Sequence, residues 1–336
     1  MRQPKVNIVD TTLRDGSHAV SHSFTPEQAG KIAGALDKTG VALIEVSHGD
    51  GIKGSSYNYG FMKSNELELI KAAKANVDNA KVGILLLPGI GTIEDLEEAH
   101  EAGAQAVRVA THCTEADIAI QHIQAGKKLG MFSVGFLMMV HMIEPEQLLE
   151  QAKIMQDAGA DYINLADSAG YLTQDGVRAR VSALVNGLDI PVGFHSHNNL
   201  GLSVANSFAA VEEGASYIDV TLRGLGAGAG NCQSEVFCAL MQREGVNTGV
   251  DIYADMDVAE EIVEPLMHRP QIIRTDSLML GYAGVYSSFL LHTRRAAEKF
   301  GLNPRDILVE LGRRKMVGGQ EDMIVDVAYQ LSQQKS

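Results

Sequence analysis

Two short runs carry most of the chemistry this chain could do. One is Thr11-Thr12-Leu13-Arg14-Asp15-Gly16-Ser17-His18, a cluster of polar and charged residues around one flexible glycine. The other is Phe194-His195-Ser196-His197-Asn198-Asn199. His195 and His197 are two residues apart, so on a strand both imidazoles point to one face. With the carboxylate of Asp15 they make a two-histidine, one-carboxylate set with open positions, suited to Mn²⁺, Fe²⁺, Co²⁺ or Mg²⁺. An isolated His-x-His is more often two ordinary histidines than a ligand pair. The proposal therefore depends on both runs ending strands at one face of a common scaffold. No thiolate belongs to the set, which argues against a structural zinc site.

That scaffold is legible in a repeat. Gly40-Val-Ala-Leu-Ile-Glu-Val46, Gly103-Ala-Gln-Ala-Val-Arg-Val109, Gly159-Ala-Asp-Tyr-Ile-Asn-Leu165 and Gly214-Ala-Ser-Tyr-Ile-Asp-Val220 share one pattern. Each is a helix-ending glycine followed by an apolar, β-branched strand. The glycines lie 63, 56 and 55 residues apart, about twice the length of one strand–helix unit, so each gap holds a further strand. Val6–Thr12 precedes the first repeat, and Val82–Leu87, Ser133–Met139 and Val192–His197 fill the gaps. Eight strand–helix units in one run predict an α/β fold, a (β/α)₈ TIM barrel, with a doubly wound open sheet as the rival. Thr25-Pro26-Glu27 and Thr114-Glu115 read as helix openings. After about Asp251 the rhythm stops and only helical patterns remain: Asp255–Met267, Leu278–Phe300, Pro304–Arg313 and Glu321–Ser332. The expected division is a barrel domain over 1–272, connecting helix included, and a small all-helical domain over 273–336.

In a barrel the active site lies where strands end and loops begin, and the remaining candidates are read against that rule. Glu45, a carboxylate inside a strand, needs a partner, and Arg14 is the natural one. Leu85 and Leu87 alternate inward on the third strand. Gly224–Asn231 resembles a phosphate loop without the full spacing and reads as a close-approach loop, with Asn231 reaching toward substrate or metal. His48 and His141 end strands and are weaker candidates for the mouth. His100, His122, His268 and His292 fall on helical patterns. Cys113, beside His112, reads as a small buried residue. No lysine ends a strand, which excludes a Schiff-base mechanism.

Composition bounds the partners. There are 28 Lys and Arg against 42 Asp and Glu, a net charge of −14, and no Trp. Such a field disfavours nucleic acid and anionic membrane surfaces. Three cysteines without a paired spacing point to a reducing compartment. The amino-terminal run carries no apolar signal core, and no 18-residue apolar run occurs, so the expected location is cytoplasmic.

Leu13-Arg14-Asp15-Gly16 together with Phe194-His195-Ser196-His197-Asn198 resembles the metallolyase barrels of the HMG-CoA lyase, isopropylmalate synthase and pyruvate carboxylase group. Most synthases of that group carry Gln where this chain has His18, and this difference, the Gly224–Asn231 loop and the helical tail are similar to its aldolase branch. The resemblance implies retro-aldol cleavage of 4-hydroxy-2-oxopentanoate to pyruvate and acetaldehyde. It implies that Asp15, His195 and His197 bind a divalent metal, Mn²⁺ first, with Co²⁺ or Mg²⁺ as alternatives. Arg14, paired with Glu45, would face the substrate enolate and His18 would take the C4 hydroxyl proton. Arg14, Asp15, Ser168, His195 and Tyr286 would contact the substrate, and Leu85 and Leu87 would bound the aldehyde pocket. The tail would contact an acylating acetaldehyde dehydrogenase in an oligomer, with Ser287–Leu291 as a candidate surface. The rivals are a Claisen-type synthase of the same group and a non-catalytic barrel scaffold.

Overall fold

The structure, a computed structural model, describes residues 5–335; residues 1–4 and 336, at the ends of the two expected domains, lie outside them. Eight parallel strands close into a barrel in chain order. They are β1 (Asn7–Asp10), β2 (Leu43–Glu45), β3 (Lys81–Leu86), β4 (Ala106–His112), β5 (Phe132–Met138), β6 (Tyr162–Asp167), β7 (Val192–Ser196) and β8 (Tyr217–Val220). Closure is made by β1 pairing with β8 in register Asn7 to Tyr217 and Asp10 to Val220, so the open sheet is excluded. The repeated glycines do what their position demands: Gly40 has φ +98°, and a Cβ there would lie 2.4 Å from the Gly249 carbonyl oxygen.

The helices α1 (Pro26–Thr39), α2 (Glu66–Lys74), α3 (Ile93–Glu101), α4 (Ile120–Lys128), α5 (Pro145–Asp157), α6 (Gln174–Gly187), α7 (Ser203–Glu212) and α8 (Ser234–Arg243) surround the strands. Thr25 opens α1 as expected, its hydroxyl accepting from the Gln28 amide while Gln28 returns a bond to the Thr25 amide. Thr114 opens no helix. Its hydroxyl is held by His112 Nδ1 at 2.7 Å, and the chain instead enters α4 through a 3₁₀ turn at Ala116–Ala119.

The barrel interior is layered. Val9, Leu43 and Ala106 fill the lower end, and Leu85, Ala110, Phe136 and Ala166 the upper. Between them lies a belt of fully buried polar side chains: Glu45, Arg108, Asn164 and Asp219.

The tail differs from expectation in two places. The expected helix Asp255–Met267 is α9 (Ile252–Asp257), capped by Asp251, running into a wide π turn at Val258–Val263 and a 3₁₀ turn at Glu264–Leu266. The expected helix Leu278–Phe300 is two, α10 (Thr275–Ala283) and α11 (Phe289–Phe300). Gly284 breaks it at φ +66°, its carbonyl held by His141 Nε2 at 3.2 Å. α12 (Pro304–Arg313) and α13 (Met323–Lys335) complete the tail. Its own core joins Leu280, Val285, Phe289, Ile307, Leu311, Ile324 and Val327.

Candidate active site

At the carboxyl ends of the strands a cavity of about 320 Å³ is lined by Arg14, Asp15, His18, His195 and His197, with Leu85, Leu87, Ser168 and Tyr286 around them. The fold brings these nine candidates of the sequence reading to one cavity, while Glu45, Asn231, His48 and His141 do not line it. β1 delivers Arg14 and then a 3₁₀ turn, Asp15–His18, that presents Asp15 and His18. That turn is packed tightly: a Cβ on Gly49 would lie 2.3 Å from His18 Nε2. β7 delivers both histidines, His195 from within the strand and His197 just past its end.

Asp15, His195 and His197 could hold a metal ion, their candidate ligand atoms all lying within 4.8 Å of one another. Asp15 Oδ2 lies 3.5 Å from His195 Nε2 and 3.6 Å from His197 Nε2, and the two Nε2 atoms are 3.2 Å apart. His195 Nδ1 donates to Asp219 Oδ2 at 3.0 Å, which leaves the Nε2 lone pair facing its neighbours. Burial lowers the pKa of His197 to about 4, keeping it neutral and able to ligate at pH 7. Burial alone would raise the Asp15 pKa, but Arg14 and then His197 and His195 hold it well below the usual carboxylate range. A carboxylate and two ring nitrogens converging in a buried pocket fit a divalent cation with open positions.

A closed circuit of buried charge supports the set. Arg14 Nη1 donates to Asp15 Oδ2 at 2.8 Å, and Arg14 Nε to Glu45 Oε2 at 2.7 Å. Arg108 Nη1 donates to the same Glu45 oxygen at 3.1 Å and Arg108 Nη2 to Asp219 Oδ2. Asp219 holds His195, which returns to Asp15. Carboxylates outnumber guanidiniums three to two in this circuit, which favours a cation. Arg14 Nη2 is buried without a protein partner, leaving unused N–H groups on a side chain that lines the cavity.

Several expectations fail. His48 does not line the cavity. Its Nδ1 accepts from the Asp50 amide at 3.0 Å, its Nε2 faces the Gly60 carbonyl, and its ring stacks on His22. His141 is also withdrawn, bonded to Gly284. Asn231 is buried but does not line the cavity. Its Nδ2 donates to Leu225 O at 2.9 Å and ties the loop on itself, and it is Ala227 N that reaches Asp15 Oδ1, at 3.1 Å. His268 is exposed in a turn and not on a helix. Ser287–Leu291 is not one surface: Ser287 and Ser288 line the cavity, Phe289 is buried, and Leu291 is 47% exposed. Burial pushes the Cys113 thiol up to about 12, consistent with an inert buried residue.

Sequence reasoning missed Arg108, Asp219, Asp50, Tyr59 and His112. Arg108 and Asp219 occupy strand positions in the same repeat that flagged Glu45, and the demand for a partner to a buried strand charge applied equally to them. Asp50, Tyr59 and His112 line the cavity from loops or a strand end with no distinguishing pattern.

The HMGL-like family model matches residues 5–262, and the DmpG-like communication domain matches residues 271–333. The 4-hydroxy-2-oxovalerate aldolase of Moorella thermoacetica is 64% identical over 100% of this chain and 99% of its own. That of Carboxydothermus hydrogenoformans is 60% identical over 98% of each. Among solved structures, the carboxyl transferase domain of Rhizobium etli pyruvate carboxylase with pyruvate and biocytin superposes with a TM-score of 0.82. It covers 99% of this chain and 61% of that one at 15% identity, a likeness of fold. Among the described residues no helix is long and apolar enough to cross a membrane. The chain belongs to the HMGL-like family, with a DmpG-like communication domain following its barrel.

Proposed function

We propose that this protein is a metal-dependent aldolase that cleaves 4-hydroxy-2-oxopentanoate to pyruvate and acetaldehyde. The observation that carries the reading is the convergence of Asp15, His195 and His197 beside Arg14 and His18 in one cavity, in a chain 64% identical to an aldolase of that name. Asp15, His195 and His197 hold the cation, which we take to be Mn²⁺; when bound it supplies Lewis acidity to the 2-oxo acid. Arg14 offers the unpartnered Nη2 to the oxygen on C2, where negative charge develops. His18 takes the proton of the C4 hydroxyl. The C3–C4 bond then breaks, its electron pair moving into the pyruvate enolate while the aldehyde carbonyl forms. Protonation of C3 completes pyruvate. Ser168 and Tyr286 close the cavity around the substrate, and Leu85 and Leu87 bound the aldehyde end.

Among the described residues no lysine lines the cavity, and the chemistry rests on cation and guanidinium. The division at 272/273, docking of the tail on an acylating acetaldehyde dehydrogenase, and a reducing cytoplasmic setting belong to the same proposal. The last is supported by three buried free cysteines, the docking by the communication-domain match.

The deciding assay is pyruvate release from 4-hydroxy-2-oxopentanoate by chelator-treated protein, with and without Mn²⁺. Cleavage is expected only with the metal restored. Full activity in excess chelator overturns the metal assignment, and no cleavage with Mn²⁺ overturns the substrate.

A further inference from the structure

Arg108 has no part in the chemistry proposed above. It does not line the cavity, and it is fully buried in the polar belt across the barrel interior. Yet it bonds to both Glu45 and Asp219, the acids behind the two halves of the site. Its Nη1 donates to Glu45 Oε2 at 3.1 Å, and Glu45 holds Arg14 Nε at 2.7 Å. Its Nη2 donates to Asp219 Oδ2, and Asp219 holds His195 Nδ1 at 3.0 Å. The guanidinium carbon also lies 4.7 Å from the centre of the Phe136 ring, which meets the His195 ring in a T-shaped contact at 5.8 Å.

A buried ion network is weak evidence of stability, since well-packed apolar residues often do as well or better. It constrains geometry when one rigid group must satisfy two acids at once. A planar guanidinium with donors at fixed angles does this, and an ammonium does not.

We propose that Arg108 is a positioning residue that couples the two halves of the site. Through Asp219 it fixes the ring orientation of the metal ligand His195, and through Glu45 it fixes the guanidinium of Arg14 that meets the substrate. The arrangement of the cation ligands and that of the oxyanion donor are thereby set by one side chain. This rests on the functional reading above, and the test separates the two.

The test uses the full-length protein and reads binding as well as turnover. The constants are the Mn²⁺ dissociation constant of the metal-free protein, by competition with a chelator, and the pyruvate dissociation constant at saturating Mn²⁺. Arg108→Met is expected to weaken Mn²⁺ binding about 10–100-fold, the usual cost of losing a partner of a metal ligand. It is also expected to weaken pyruvate binding by at least about tenfold once Mn²⁺ is saturating. Arg108→Lys is expected to restore one constant and not both, because its ammonium satisfies one carboxylate. Recovery of both by lysine would show that positive charge alone suffices and would overturn the bridging role.

Should Arg108→Met fail to fold, Arg108→Lys decides: one constant kept with the other weakened supports the bridging role, and recovery of both overturns it. Wild-type protein that binds no Mn²⁺ overturns the functional reading and the coupling with it. Normal wild-type binding with both constants unchanged in a folded Arg108→Met variant overturns the coupling alone.

Discussion

His18 Nε2 and Asp50 Oδ2 lie 3.7 Å apart, with the Asp50 oxygen buried and free of hydrogen bonds. At that distance the carboxylate does little for a neutral imidazole and attracts an imidazolium. The pair therefore sets a buried carboxylate oxygen beside the imidazole proposed to take the C4 hydroxyl proton.

The first prediction separates proton transfer from charge stabilisation. His18→Ala should lower cleavage about 10²–10⁴-fold, the usual worth of a positioned base, and largely spare deuterium exchange at the pyruvate methyl. Arg14→Ala should suppress both, because both pass through negative charge at the C2 oxygen. Asp50→Asn should slow cleavage several-fold, as expected of a part-exposed ion pair worth about 1 kcal/mol, and leave exchange unchanged. Equal losses in the two assays for His18→Ala would show that the hydroxyl-specific role is wrong.

Leu87 lines the cavity beside Leu85. Leu87→Ala should raise kcat/KM for longer-chain aldehyde substrates relative to acetaldehyde, each added methylene being worth about 1–3 kcal/mol. Measured across an aldehyde series in the synthetic direction, an unchanged profile would move Leu87 out of the aldehyde pocket.

On α10, Leu278 and Tyr282 lie one turn apart and are 44% and 66% exposed. Coexpressed with an acylating acetaldehyde dehydrogenase, the wild-type protein should co-purify with it. Tyr282→Glu should weaken that association at least about tenfold, since a charge in an interface core is left unpaired, with cleavage by the isolated protein unaffected. Lack of association at micromolar concentration would count against docking through the tail.

Burial is the main reason that the pKa of His22 is lowered to about 3 and that of His141 to about 4. Both are neutral when folded down to those values, whereas in the unfolded chain each takes a proton near pH 6.5. Their contribution to stability is full above pH 6.5 and is lost as pH falls toward 4. In urea unfolding of metal-free protein, His22→Gln and His141→Gln should each remove about one proton from the pH dependence of stability between pH 6 and 4. A wild-type slope in either variant would contradict the assignment for that residue.

The barrel was legible because its cause is local and repeated. Four glycines that end helices and the buried strands after them are visible in any window of the chain. The convergence of Asp15, His195 and His197 was legible for a related reason. The two-residue spacing of His195 and His197 keeps their rings together even though His197 lies just past β7, and Asp15 follows β1 in a 3₁₀ turn at the same barrel end. What escaped was relational. Arg108 and Asp219 are 111 residues apart in sequence and meet only when the barrel closes. Asn231 was misread because composition shows an amide near a mouth but not that its Nδ2 is already spent on Leu225. The break at Gly284 was missed because a single glycine in a helical pattern is usually tolerated. Here His141, far back in the chain, holds the carbonyl that ends the helix.

The cavity has walls of two origins. Barrel strands supply its floor, while Tyr286, Ser287, Ser288 and the run Val317–Gly319 come from the tail. In terms of descent, the tail is therefore not a module that a barrel of this kind can trade freely. An ancestor exchanging it for another helical appendage would have remade the rim of this cavity. Drift in the tail is held in check by the barrel's chemistry as well as by any neighbour the tail touches.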